Sequence, residues 1–256
     1  MKKFFKFSYV TIVYLFLYIP ILILIIYSFN SSRFSTNWQG FTLSWYGVLF
    51  NDGPLMEALK NSLLIAISSS TIATILGTLG AFAFYRYRFV GRKVIYSFIY
   101  ILMMSPDIVM GISLLMFFIM LGLTTGAGTL LLAHITFCLP FVVVTVYARI
   151  SGFDRNIIDV AKDLGATELQ MFRHIMMPML MPAIIAGWLL SFTLSLDDVV
   201  VSFFTTGPSF EVLPLKIYSM VRIGIKPEIN ALSALMFLVS LITVTISHLM
   251  NAKENR

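Results

Sequence analysis

Residues 151–178, SGFDRNIIDVAKDLGATELQMFRHIMMP, interrupt a sequence that is otherwise mostly apolar. The stretch carries too many charged side chains to cross a membrane, yet its apolar residues recur at helical spacing. Gly165 is expected to end one short helix, and the capping-box pair Thr167 and Gln170 to begin a second, which stops before Pro178. Two short amphipathic helices need a surface that covers their apolar faces, either the membrane or a partner protein.

The rest of the chain has the composition of a membrane protein. Of its 256 residues, 59% are hydrophobic and 12% are charged, whereas a soluble domain carries roughly 25% charged residues. The first apolar segment is longer than the core of a signal peptide, so we expect it to be retained as a span. The sequence therefore predicts an all-α, polytopic protein with six transmembrane helices. Segments of the required length of roughly 20 residues lie at about 8–29, 62–84, 95–121, 129–149, 180–205 and 231–250.

The distribution of Lys and Arg predicts the orientation of these spans. With the N-terminus in the cytoplasm, 13 of the 18 basic residues fall in cytoplasmic segments, which favours cytoplasmic positions for both termini. These charges lie in loops between apolar segments. The net charge of +6 is therefore explained by membrane orientation and does not indicate nucleic-acid binding.

No motif in the sequence indicates catalysis or a cofactor. There is no phosphate-binding Gly-rich loop, no nucleophile elbow, and no His/Cys cluster with metal-ligand spacing. The three histidines fall in different elements, and His134, within the fourth span, is expected to form hydrogen bonds between helices. We expect no enzymatic activity, no cofactor and no metal site in this chain.

The polar loop resembles the Glu-Ala-Ala loop of permease subunits in ABC importers that depend on a binding protein. Asp159-Val160-Ala161 stands in place of Glu-Ala-Ala, Gly165 follows at the family spacing, and Ile175-Met176-Met177-Pro178 stands in place of Ile-x-Leu-Pro. The substitutions keep charge or apolar character. The resemblance implies that the loop at 150–178 forms coupling helices on the ATPase subunit, with Asp159, Ala161 and Gly165 in the coupling role.

The resemblance covers nearly the whole chain, which would then be a single permease domain of residues 1–256. The segments MMSPDIVMGISLL (103–115) and SLDDVVVSFF (195–204) look like the polyamine branch of the family. This implies a location in the bacterial inner membrane, in contact with lipid. It also implies a homologous second permease, a periplasmic polyamine-binding protein, and two cytoplasmic ATPase subunits that bind ATP and Mg²⁺. Nucleic acid is not an expected partner.

Two adjacent carboxylates, Asp197 and Asp198, lie inside the fifth apolar segment, where a charge costs about 2.5–3.5 kcal/mol at mid-bilayer. Adjacent helical residues point about 100° apart. Asp198 shares a stripe of small and polar residues, which faces a pore or a close helix neighbour, so it is the first candidate for the substrate pathway.

Asp197 lies on a mostly apolar stripe and is expected to cap a helix, to contact the partner permease, or to stabilise a helix break. Alternatively, both acids form structural hydrogen bonds. The two stripes are Ala183, Gly187, Ser191, Ser195, Asp198, Ser202 and Ala186, Leu190, Thr193, Asp197, Val201, Phe204.

A third acid, Asp107, follows Pro106 in the third span, and the proline is expected to kink the helix. Asp107 lies about 12 residues into the segment, or roughly 18 Å, which places it near mid-membrane. Tyr100 is expected on the same helix face as Asp107, where its ring either meets an ammonium group or packs. Acids in the spans without deep Lys or Arg favour a cationic substrate.

Other functions remain open from the residues alone. Within the permease class the substrate could be iron, sulfate, thiamine or an amino acid, although anion importers are expected to place basic groups or helix N-termini in their spans. A secondary transporter would use the aspartates as a proton relay, but it would not need the polar loop.

Overall fold

The computed structural model describes residues 2–32, 37–153, 157, 160, 161, 163–223, 227–238 and 241. These residues are mostly helical, and an isolated antiparallel bridge pairs Asn30 with Phe41. The all-α prediction is confirmed. In chain order the helices are α1 (Lys2–Tyr27), α2 (Ser44–Asn51), α3 (Gly53–Arg86), α4 (Arg92–Met104), α5 (Asp107–Met120), α6 (Ala127–Ser151), α7 (Glu168–Asp197), α8 (Val200–Thr205), α9 (Leu213–Ile223) and α10 (Pro227–Leu238).

Four of these helices, α1, α3, α6 and α7, are long and apolar enough to cross a membrane. α4 and α5 pass the same test only together, as one span that is bent by 114°. The described residues therefore hold four spans, or five with the bent pair. The sixth predicted span begins on the shorter helix α10, and its remainder to residue 250 lies outside the described residues except for position 241.

Two predicted spans are not continuous helices. The third, 95–121, breaks at Ser105 and Pro106, which adopt extended backbone with ψ of 134° at each residue. Proline disfavours helical conformation in the residue before it, and the result is a sharp break where the sequence indicated only a kink. The fifth, predicted at 180–205, ends at Asp197 and resumes as the short helix α8 after two residues.

The prediction that a separate coupling helix stops before Pro178 is wrong. α7 begins at Glu168 and continues through Pro178 to Asp197, with a π-helical turn at Phe172–Met176. A proline in a regular helix clashes with the carbonyl of the residue four positions earlier. Here the Met177 N–H donates to the Phe172 carbonyl, five residues back, and this wider turn accommodates the proline that follows. The end of the polar segment and the predicted fifth span thus belong to one continuous helix, Glu168–Asp197.

Residues 58–215 form one compact unit in which α6 packs along α7 and approaches α3 at Gly77 and Gly80. Val142 on α6 is fully buried and lies against two glycines, Gly77 on α3 and Gly187 on α7. A Cβ atom on Gly77 would lie 2.8 Å from the Val142 Cβ, which is closer than real contacts allow. Small residues let transmembrane backbones approach closely, so these glycines set the distance between the helices that carry the site.

Replacing Gly77 by Ala is expected to destabilise the protein by about 1–3 kcal/mol, because the new methyl group must push Val142 and α6 away. The measurement is the thermal unfolding midpoint of the purified protein in detergent. Gly80→Ala is the matched control, since its Cβ would lie 3.7 Å from Val143 and the substitution favours the helix. Equal midpoints for the two variants would contradict the close α3–α6 packing.

A second compact unit comprises residues 1–57 and 216–256. Its polar contacts hold the segment after α1: Trp45 Nε1 donates to the Asn30 carbonyl at 2.7 Å, and the Ser28 and Tyr46 hydroxyls lie 2.8 Å apart. Asn30 Oδ1 also accepts from the Gln39 N–H at 2.9 Å. These bonds fold the segment back so that α2 begins close to the end of α1.

Candidate functional site

The break between α7 and α8 is held by the carboxylate of Asp198. This residue adopts an extended conformation, with φ −67° and ψ 127°. Its Oδ1 accepts from the Val201 N–H at 3.2 Å, and its Oδ2 accepts from the Ser202 N–H at 2.7 Å. A helix start leaves N–H groups without intrahelical partners, and an acid there also interacts favourably with the helix dipole. Asp198 therefore satisfies backbone groups that the break exposes inside an apolar segment.

His134 on α6 extends this polar cluster. Its Nδ1 lies 2.6 Å from Ser195 Oγ on α7, and its Nε2 lies 3.0 Å from Ser202 Oγ on α8. The Asp198 Oδ2 is 3.6 Å from His134 Nε2. Ser195 Oγ also lies 3.0 Å from Ser69 Oγ on α3. The five side chains are buried, so one hydrogen-bonded cluster ties three helices to the break.

The expectation that His134 forms hydrogen bonds between helices is confirmed. The stripe of small and polar residues that includes Asp198 faces close helix neighbours, which was one of its two predicted environments. Asp198 is only 8% exposed, whereas its neighbour Asp197 is exposed at the last residue of α7. The suggestion that Asp197 caps a helix at the break is wrong, because the capping carboxylate belongs to Asp198.

Removing the imidazole of His134 is expected to destabilise the protein. His134→Ala would leave Ser195 and Ser202 short of a buried partner and open a cavity, at a cost of about 2–4 kcal/mol. Ser202→Ala is the graded control, because it removes one of these hydrogen bonds and little volume. The measurement is the thermal unfolding midpoint of the purified protein, and a smaller loss for His134→Ala than for Ser202→Ala would contradict the central place of the imidazole.

Asp107 is the first residue of α5 and is exposed. The prediction that it shares a helix face with Tyr100 is wrong, because Tyr100 lies on α4 and the two helix axes differ by 114°. For the same reason, its depth does not follow from counting residues along one axis. Tyr100 is 40% exposed, and its hydroxyl lies 3.2 Å from that of Tyr96.

The two broken spans pack against each other. Gly111 on α5 is buried, and a Cβ there would lie 2.7 Å from the Phe204 ring and 3.4 Å from the Val200 carbonyl oxygen, both on α8. Asp107 directly follows the break before α5, and Asp197 directly precedes the break before α8. The exposed acids Asp107 and Asp197 thus lie at the breaks in two predicted spans, and the helices that follow these breaks, α5 and α8, are in contact.

Among the described residues, no group of three or more His, Cys, Asp or Glu side chains lies close enough to hold a metal ion. The polar cluster around His134 consists of hydroxyl, imidazole and carboxylate groups that satisfy one another and the backbone. In this structure the cluster holds α3, α6, α7 and α8 together by hydrogen bonds.

The polar loop before α7 contains a helix end at Gly165. Its φ is +81°, and the Ala166 N–H donates across it to the Ala161 carbonyl at 3.0 Å. This is the hydrogen bond of a Schellman turn, in which glycine is favoured because other residues resist positive φ. The predicted helix end is confirmed. Ala161 is buried, and Asp159 lies outside the described residues.

The predicted capping box at the start of α7 is confirmed. The Gln170 N–H donates to Thr167 Oγ1 at 3.3 Å, and the Thr167 N–H donates to Gln170 Oε1 at 2.9 Å. Gly165 and this capping box define a tight turn directly before the long rod of α7.

An ion pair joins the loop to α3, and no local sequence pattern predicts it. Arg86 at the end of α3 forms two contacts with the carboxylate of Glu168 at the start of α7. Its Nε donates to Oε2 at 3.2 Å, and its Nη2 contacts Oε1. The two residues are 82 positions apart. The only signal in the sequence was that each stands at a predicted helix end.

The sequence of this chain is similar to a family of membrane transport proteins and to several of its members. Residues 73–253 fit the family described as "Binding-protein-dependent transport system inner membrane component". The chain is 56% identical to the spermidine/putrescine transport system permease protein PotC of Escherichia coli K12, over 94% of this chain and 92% of that one. It is 49% identical to PotC of Haemophilus influenzae over the full length of both, and 46% identical to the putrescine transport system permease protein PotI of E. coli K12, over 86% and 81%.

Solved structures agree on the fold. A bacterial ABC transporter that imports the acidic polysaccharide alginate contains a chain that superposes with a TM-score of 0.75, at 18% identity, over 98% of this chain and 95% of that one. An amino acid ABC transporter with histidines gives a TM-score of 0.63, at 16% identity, over 83% and 99%.

Proposed function

Because this chain belongs to the family of binding-protein-dependent transport system inner membrane components, we propose that residues 1–256 act as one permease domain of an ATP-driven polyamine importer. With a homologous second permease it forms the membrane pathway for spermidine and putrescine. The observation that carries the substrate class is the 56% identity to a spermidine/putrescine permease over nearly the full length of both chains.

The charge of the apolar segments supports a cationic substrate. Asp107 and Asp197 are exposed at helix breaks, and none of the chain's Lys or Arg residues lies deep in a predicted span. An exposed carboxylate in a span is costly unless it meets a cation or water. A polyamine carries separated ammonium groups on an apolar chain, which suits acids spaced along a largely apolar path.

The geometry favours different roles for the adjacent aspartates. Asp197 presents its carboxylate on the surface of α7 and contacts an ammonium group of the substrate. Asp198 is buried among hydrogen-bond partners and positions the break, so it acts on the pathway through Asp197. Asp107 supplies a second acid, and the partly exposed ring of Tyr100 supplies an aromatic face for cation–π contact.

The loop before α7 provides the surface for the ATPase. Val160, Leu164 and Leu169 are exposed around the Gly165 turn, and this apolar surface docks on one of two cytoplasmic ATPase subunits. Ala161 and Gly165 shape the turn, and Asp159 takes the place of the family's acidic residue. α7 continues from this surface to Asp197 without interruption, so movement of the docked end reaches the substrate acid along one helix.

The remaining partners follow from this arrangement. A periplasmic polyamine-binding protein delivers the substrate, and the ATPase subunits bind ATP and Mg²⁺, so this chain itself needs no cofactor. With the N-terminus in the cytoplasm, 13 of the 18 basic residues fall in cytoplasmic segments. This distribution supports cytoplasmic positions for both termini in the bacterial inner membrane.

Uptake by cells tests the substrate. Cells that lack endogenous polyamine importers are given the complete importer, with or without this chain, and supplied with radiolabelled spermidine. Accumulation should depend on this chain and should fall when unlabelled putrescine is added, but not when sulfate, thiamine or methionine is added. Chain-dependent uptake of one of those other compounds, without spermidine uptake, would exclude the proposed substrate.

A further inference from the structure

The turn between α3 and α4 forms an open cavity of about 730 Å³ that has no part in the proposed transport pathway. It is lined by residues 88–94 together with Tyr96 and Tyr147. Three of the nine lining residues are cations, Arg88, Arg92 and Lys93, and none is an acid. A concave site with this charge selects an anion.

One of the cations is held in place. Arg92 is half-buried, and its Nη2 donates to the Tyr147 hydroxyl at 3.3 Å. Tyr147 in turn packs on Tyr96, with ring centroids 5.3 Å apart. The guanidinium is therefore oriented by an aromatic floor, while Arg88 and Lys93 stand exposed at the rim. Two exposed cations beside an oriented guanidinium group fit a phosphate group.

The same turn exposes apolar side chains beside these cations. Val90 is fully exposed, Val94 is 58% exposed and Phe89 is 40% exposed. A soluble anion gains no favourable contact from exposed valine and phenylalanine side chains. A phospholipid does, because its acyl chains begin next to its phosphate. Tyrosines at the base of the site are also typical of the membrane interface.

We propose that this cavity, named here the α3–α4 cavity, is a binding site for the headgroup of an anionic phospholipid in the cytoplasmic leaflet. Arg92 binds the phosphate, Arg88 and Lys93 add affinity at the rim, and Val90 and Val94 insert among the acyl chains. Basic pockets at the cytoplasmic ends of transmembrane helices recognise anionic lipids in this way.

The test uses the assembled importer in detergent, with a tail-labelled fluorescent phosphatidylglycerol as the probe. Arg88→Gln/Lys93→Gln is expected to weaken binding of this probe about 25-fold, from about fivefold per cation. Arg92 is left intact because it packs on Tyr147. Arg149→Gln is the control, since it removes a cation that stacks on Phe153 outside the cavity, and it should change binding less than twofold.

Four further measurements separate the alternatives. A phosphatidylcholine probe with the same tail should bind weakly to every variant, and 1 M NaCl should abolish the advantage of phosphatidylglycerol because it screens the rim charges. Inorganic phosphate that displaces the lipid probe at equal concentration would identify a soluble-anion site and overturn the proposal. Loss of ATPase co-purification in the double variant, with unchanged phosphatidylglycerol binding, would identify a protein-docking surface and would also overturn it.

Discussion

Asp197→Asn is expected to lower the maximal rate of spermidine uptake about tenfold or more, with no loss of thermal stability. Asp197 is exposed at the last residue of α7, so its carboxylate is available to an ammonium group. Losing a charged hydrogen-bond partner costs about 1.5–3 kcal/mol, whereas the neutral amide keeps the shape of the side chain. The measurement is initial uptake of radiolabelled spermidine in cells, alongside the thermal midpoint of the purified importer.

The adjacent residue provides the matched control. In Asp198→Asn, the amide cannot accept from both the Val201 and Ser202 N–H groups, so the thermal midpoint should fall together with uptake. Asp197→Glu should retain most uptake. If Asp197→Asn transports normally while Asp198→Asn loses transport at an unchanged midpoint, the buried acid is the substrate contact and the assignment of roles is reversed.

Gly165→Val is expected to reduce ATPase-coupled transport about five- to thirtyfold. The φ of +81° at this position costs an L-residue about 1–2 kcal/mol, and more for a β-branched one. A Cβ at Gly165 would meet nothing within 4 Å, so the effect comes from the backbone conformation alone. The turn before α7 would open, and the orientation of the docking surface relative to α7 would no longer be fixed. Substrate-stimulated ATP hydrolysis by the reconstituted importer is the measurement.

Gly165→Asn separates conformation from volume. Asn tolerates the left-handed region better than any β-branched residue, so this variant should keep most of the stimulation despite its larger side chain. Unchanged stimulation in Gly165→Val, or equal losses in both variants, would show that the left-handed turn has no part in coupling.

Local signals in the sequence were sufficient for several features of the site. The helix end at Gly165 and the capping box of Thr167 and Gln170 depend on residues within a few positions of one another, and both are present as predicted. The spans at 62–84 and 129–149 follow from hydrophobic length alone and lie on α3 and α6.

Features that depend on distant residues could not be predicted. Asp198 ends α7 because His134, Ser202 and the backbone of α8 offer it partners, and His134 lies more than 60 positions away. The passage of α7 through Pro178 depends on a π-helical turn, which no local pattern signals. Pro106 indicated a kink, but no local pattern signals the 114° bend between α4 and α5 or the packing of Gly111 against α8.

We propose that this chain, together with a second permease, forms the membrane pathway of an ATP-driven polyamine importer. The most direct test is accumulation of radiolabelled spermidine in proteoliposomes that contain this chain, its partner permease, the ATPase and the binding protein. ATP should drive spermidine accumulation against a gradient, and omission of ATP should abolish it. The Asp197→Asn variant should lower the rate of accumulation about tenfold or more. ATP-independent accumulation driven by a proton gradient, or ATP-driven transport that excludes spermidine, would contradict the claim.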